Sequence, residues 1–157
     1  MDEKMISDLR MKSGAHWKKI VEKYGSGEKG TVLDFKDFLQ GRQAASVTLH
    51  GCSVELPAHR QNFIEFIYAY EGRIVTEIDG KELVQEKGDI LLMNQYVEHR
   101  VKPTGNENEA LILAALPDFF EKPLEMMKKQ SLITDFLANM FRQNSKKPEY
   151  LMFHLDD

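Results

Sequence analysis

The chain has 157 residues and a formal net charge of −4, with 21 Lys and Arg against 25 Asp and Glu. One domain with a real core fits this length, and 42% apolar with 29% charged residues is a globular composition, not a disordered one. The mild acidity argues against the chain being a nucleic-acid-binding surface by itself, since phosphate neutralisation needs clustered Lys and Arg. The pairs Lys18-Lys19, Lys128-Lys129 and Lys146-Lys147 each sit beside acids or polar residues and read as solvated faces. A single cysteine, Cys52, excludes an internal disulfide and fits a reducing compartment. It reads as a small residue in or near a strand, not a nucleophile. The charged start MDEKMISDLR lacks the apolar run of a signal peptide. The apolar runs elsewhere are too short to span a bilayer. These features together suggest a soluble, cytoplasmic protein.

In chain order, Met1–Tyr24 is helical. Trp17, Ile20, Val21 and Tyr24 recur at helical spacing on one face, with Ser13 as a candidate N-cap and Gly25 as a stop. The loop Gly25–Gly30 has the glycine spacing of a phosphate-binding loop. Thr31 stands where that motif needs Lys, however, and no strand precedes it, so the loop reads as a plain connection.

From Val32 to Leu116 the pattern is β. Strands are predicted at Ser46–His50, Ser53–Leu56, Phe63–Tyr70, Ile74–Ile78, Lys81–Val84, Ile90–Met93, His99–Lys102 and Ala110–Leu116. Asp79-Gly80 is a two-residue hairpin signal. Strands this short and this evenly spaced suggest a sandwich or small barrel. After Pro117 the chain turns helical again. Pro123 fits a first helical turn, with Leu124 and Met127 as an apolar edge. Ser131 is a candidate cap for a second helix carrying the stripe Ile133, Phe136, Leu137, Met140 and Phe141. A polar stretch, Gln143–Pro148, ends it, and Tyr150–Phe153 is a last apolar-rich segment.

The most informative stretch is His59–Gly72, HRQNFIEFIYAYEG. Strand alternation places His59, Gln61, Phe63, Glu65, Ile67 and Ala69 on one face if the strand is unbroken. Phe66, Tyr68 and Tyr70 share the opposite face and read as core under a helix. Gly88-Asp89 opens a second segment that ends at His99. His16, His50 and His154 show no partner pattern and read as exposed or structurally satisfied.

These two segments resemble the paired motifs of the cupin superfamily. The first motif, H-x-H-x(3,4)-E-x(6)-G, is matched by His59, Gln61, Glu65 and Gly72. The second is matched by Gly88 and His99, with Gln95 and Tyr96 where Pro and Gly are usual. The wording H-R-x-x-F-x-E-x-x-Y-x-x-E-G, then I-D-G-K-E, K-G-D-I-L-L-M-N and a closing P-E-Y-L-x-F, is similar to the amino-terminal sensor domain of AraC-type transcriptional regulators. The resemblance runs from Ser46 to Phe153. It implies a mostly β fold: a small antiparallel cupin-like β-barrel (double-stranded β-helix) with an N-terminal helix and C-terminal α-helices. Residues 1–30 would be an arm with its linker, 31–117 the effector-binding barrel, and 118–157 the dimerising helices and the start of a linker. The helix-turn-helix domain that reads DNA in that family would lie outside this chain.

The resemblance also sets three readings for the site. The family's metal ligands correspond to His59, Gln61, Glu65 and His99, though Gln61 is a poorer donor than the usual His. A polar ligand pocket would use the same four residues, with Phe63 and Ile67 lining it. The third reading has these polar groups bonding only to each other or to water. The pocket is the reading adopted: a non-enzymatic sensor of a small effector, often a sugar in this family, with no cofactor expected. It would be a homodimer through Ile133, Phe136, Leu137 and Met140, meeting DNA only through a further domain and no membrane. The alternatives are a stand-alone metal-dependent cupin enzyme of the isomerase or dioxygenase type, using a divalent metal, and a carbohydrate-binding cupin module.

Overall fold

A computed structural model describes residues 2–38, 44–127, 131–142 and 146–155, apart from the Ile133 side chain. Lys128-Lys129, residues 143–145 of the polar stretch and the Ile133 side chain lie outside the described residues. Helix α1 spans Glu3–Tyr24. Asp2 caps it, accepting from the Lys4 N–H at 3.0 Å, and Gly25 closes it with a bond from its N–H to the Val21 carbonyl at 2.8 Å. Ser13 is therefore not a cap. It sits inside the helix, buried, and its hydroxyl accepts the Leu49 N–H at 2.8 Å.

The strands form three sheets. Five antiparallel strands run in the order β10(Tyr150–Phe153), β7(Ile90–Met93), β4(Ile64–Glu71), β9(Glu109–Ala115), β2(Ala45–Gly51). Three more run β6(Lys81–Gln85), β5(Ile74–Ile78), β8(His99–Lys102). Two two-residue strands, β1(Val32–Leu33) and β3(Arg60–Gln61), pair in parallel, which the strand pattern did not anticipate. Helix α1 runs along the free edge of β2, and the Ser13 bond satisfies a backbone donor on that edge. At the far end of the helix–sheet contact, Arg10 forks onto Glu109 with two bonds of 2.6 Å.

Asp79 and Gly80 take φ of 51° and 72°, the two positive values that a tight hairpin of the primed type requires. The strand expected over Ser53–Leu56 is a loop. Val54 N–H turns back to the Gly51 carbonyl at 3.1 Å, and Pro57 offers no donor to extend a ladder. Cys52 is fully buried, and burial pushes its thiol up to about 11, so it is protonated at neutral pH.

The main core lies between the sheets and joins Phe63, Ile67, Leu91, Met93 and Ile112 to Ile74 and Ile78. Trp17 and Ile20 reach it from α1. A second core covers the other face of the five-stranded sheet. There Ile64, Leu92 and Phe66 pack under α2(Glu121–Met126) and α3(Leu132–Phe141). Phe120 stacks on Phe141 with centroids 4.2 Å apart. Ser131 caps α3 as expected, accepting the Thr134 N–H at 3.1 Å. Met140 is 1% exposed in this second core. It packs on the chain's own sheet and is closed to a dimer partner in this structure, while Phe136 and Leu137 remain half-buried. Of the aromatic stripe on β4, only Phe66 is covered by these helices.

Among the described residues, no helix is long and apolar enough to cross a membrane.

Candidate ligand site

The site is built where β4, β8 and β2 meet the loop before β3. His59 and His99 exchange both backbone hydrogen bonds at 3.0 Å, an isolated bridge that fixes their rings side by side. The ring centroids are 4.7 Å apart. On β4, alternation turns Glu65, Ile67 and Ala69 toward the main core and Phe66 away from it. Glu65 thereby meets His99, whose Nε2 lies 3.1 Å from Glu65 Oε2. His50 enters from β2 and meets the edge of the Trp17 indole at 4.6 Å. These polar side chains, with Trp17, Leu56, Val101 and Ile112, line a small cavity of about 20 Å³. That is room for about one water and not for a sugar ring.

His59 Nδ1 lies 2.8 Å from the Pro57 carbonyl, so it carries the proton and leaves Nε2 as a bare acceptor. The buried Nδ1 of His50 has no hydrogen-bond partner. Burial holds both imidazoles neutral, with pKa values lowered to about 4; for His59, the neighbouring His99 adds to the effect. Burial alone would raise the Glu65 carboxyl, but His99 and then His59 and His50 more than offset it, and its pKa is lowered. The polar end of the site therefore presents a carboxylate and bare imidazole lone pairs, which accept hydrogen bonds.

The structure brings His59, Glu65 and His99 together at the cavity and places Gln61 outside it. The strand is broken at Asn62-Phe63, so single-strand alternation fails across 59–65. Gln61 pairs with Leu33 of β1 instead and does not line the cavity, and its amide is buried without a partner. At the break, the Asn62 side-chain Oδ1 accepts the Phe35 N–H at 2.7 Å. Phe63 packs against Phe35 and Phe38, and Ile67 sits in the main core; neither lines the cavity.

His50 and Trp17 were missed. His50 is 3% exposed, not a surface residue. The available signal was its place on a predicted strand at the same parity as Thr48. His16 is half-buried against Trp17 and Phe38, and His154 is mostly exposed, bonded to Asp89 at 2.9 Å.

Gln61 is absent from the cavity, and among the described residues no group of three His, Cys, Asp or Glu is placed to hold an ion.

Residues 46–116 match the cupin domain family. The fold is a cupin fold. No curated protein matches the chain in sequence. Among solved structures, an apo variant of ToxT from Vibrio cholerae superposes with a TM-score of 0.53 at 8% identity, covering 75% of this chain and 44% of that one. Wild-type ToxT with bound unsaturated fatty acid gives 0.51 at 8% identity, covering 75% and 43%. A predicted oxalate decarboxylase from Thermotoga maritima gives 0.38 at 20% identity, covering 45% and 64%. The chain thus spans less than half the length of ToxT.

Proposed function

We propose that this cupin domain is a small-molecule sensor, the effector-binding and dimerising half of an AraC-type transcriptional regulator. The observation that carries the reading is the buried cluster of His50, His59, Glu65 and His99, in which His50 Nδ1 and Glu65 Oε2 have no hydrogen-bond partner. Buried polar atoms without partners are destabilising, and a ligand that donates hydrogen bonds would satisfy them. Wild-type ToxT, similar in fold over 75% of this chain, has been captured with a fatty acid, which supports a small-molecule role for this architecture. The effector would act by binding one arrangement of the domain better than another, which shifts the population presented to a DNA-binding partner domain.

A screen of small molecules by thermal shift on wild type and Glu65→Gln tests this reading. A ligand at about 100 times its Kd adds about 2.7 kcal/mol, or roughly 5–10 °C in Tm for a chain of this size. The shift is expected in wild type and lost in Glu65→Gln. If no compound behaves this way, or if purified protein carries near one metal per chain that His59→Ala and Glu65→Gln both remove, the sensor reading fails and the metal-enzyme alternative takes its place.

For dimerisation the open positions are the half-buried Phe136 and Leu137 with Leu132, which is 90% exposed. Leu132→Asp leaves the core untouched and is expected to halve the mass measured by sedimentation. An unchanged mass would remove α3 from the seam.

A further inference from the structure

Trp17 is the wall between two spaces. On one side is the small polar cavity; on the other is an open groove of about 590 Å³ between α1 and the β2 edge. The exposed lining is mostly apolar, from Trp17, Val21, Leu49 and Val54, although Lys18, Glu22 and the paired Arg10 and Glu109 also border it, and its size is that of a small-molecule site. Two glycines keep it open. Gly14 lies inside a 22-residue helix, where glycine is a poor helix former, and Gly51 ends a regular strand. Both line the groove, and at neither would a Cβ meet anything within 4 Å. No helix or strand packing accounts for them. The Trp17 indole is 7% exposed and its Nε1 is buried without a partner, so no hydrogen bond pins the ring in place.

We infer that the groove and the polar cavity are two halves of one site for an amphipathic alcohol. The apolar body lies in the groove over Gly14 and Gly51, the Trp17 ring swings aside, and the hydroxyl reaches His50, His59 and Glu65. The head must be a hydrogen-bond donor, because the cavity offers bare imidazole nitrogens and a carboxylate. A carboxylate head would meet Glu65 with like charge and find no donor in the unpaired His50 nitrogen. This inference rests on the sensor reading and adds the ligand class and the route.

Trp17 is the only tryptophan, so its fluorescence reports the wall directly. Titration with 1-octanol at pH 7.5 is expected to give a saturable change in emission, with sodium octanoate at least tenfold weaker. Gly14→Leu fills the groove from an exposed helix position, so its Tm should hold or rise while octanol binding falls at least tenfold. Val54→Glu, on the opposite wall, should do the same. Equal binding of octanoate, octanol binding unchanged in both variants, or no emission change overturns the inference. A compact polyol that stabilises wild type but not Glu65→Gln, without moving Trp17 emission, would overturn the groove and leave the sensor reading standing. Absence of any Glu65-dependent binding would remove both.

Discussion

Acidification from pH 7 to pH 4 is expected to strip roughly 3 kcal/mol of folding stability for each of His50 and His59, at about 1.4 kcal/mol per pH unit. Both imidazoles are buried and held neutral, with pKa values near 4 against 6.5 in an unfolded chain. Between those values the unfolded state binds the proton and the folded state does not, so stability falls as pH falls through that window and levels off below it. Glu65 acts in the same direction further down. Its folded pKa is lowered, so its contribution is present above the ordinary carboxylate range and is lost as pH drops through the folded value. Urea unfolding followed by Trp17 fluorescence at half-unit pH steps measures the slope. His50→Gln keeps a polar side chain that does not titrate and is expected to remove about half of it. A flat stability from pH 7 to pH 4.5 would mean that neither ring is buried as described.

Gly72→Ala is the substitution expected to damage the fold most for the atoms it adds, by about 3 kcal/mol. Gly72 has φ of +68°, where a Cβ costs about 1–2 kcal/mol. That Cβ would stand 1.9 Å from Asn108 Oδ1. Asn108 cannot simply retreat. Its Oδ1 accepts the Arg73 N–H at 2.9 Å, its Nδ2 donates to the Thr104 carbonyl at 2.7 Å, and its own carbonyl takes the Cys52 N–H at 3.0 Å. Displacing it forfeits side-chain bonds worth about 1 kcal/mol each. Asn108→Ala alone loses the bonds but clears the space, so the double variant should cost less than the sum of the singles by about 1 kcal/mol or more. Strict additivity in chemical denaturation would contradict the clash.

The Gly72 site also explains why the turn was legible in the sequence. Glu71-Gly72 and Asp79-Gly80 mark positions whose backbone demands a residue without a Cβ or one tolerant of positive φ, and such demands are local. So are the alternation that gives β4, β5 and β7 their ends and the capping of α3 by Ser131. What stayed hidden depends on contacts across the chain. Ser13 looks like a helix cap because serine favours that role, yet its hydroxyl serves a sheet edge 36 residues away. Gln61 looked like a site residue because parity was carried through Asn62-Phe63, where the chain bends to bond Leu33 and Phe35. His50 and Trp17 had no motif around them, since the partners that make them part of the site come from β4, β8 and the loop at His59. The C-terminal stripe divided for a related reason: one helix face served the chain's own sheet at Met140 and Phe141, leaving less of it for a partner than spacing alone suggests.

In the proposed site, the buried imidazoles and Glu65 receive the polar end of a small molecule. A crystal structure of the domain with a compound selected by Glu65-dependent thermal shift tests it most directly. The expected result is a ligand donor within hydrogen-bond distance of His50 Nδ1, His59 Nε2 or Glu65. A compound bound elsewhere, with the cluster and its small cavity unchanged, would contradict it.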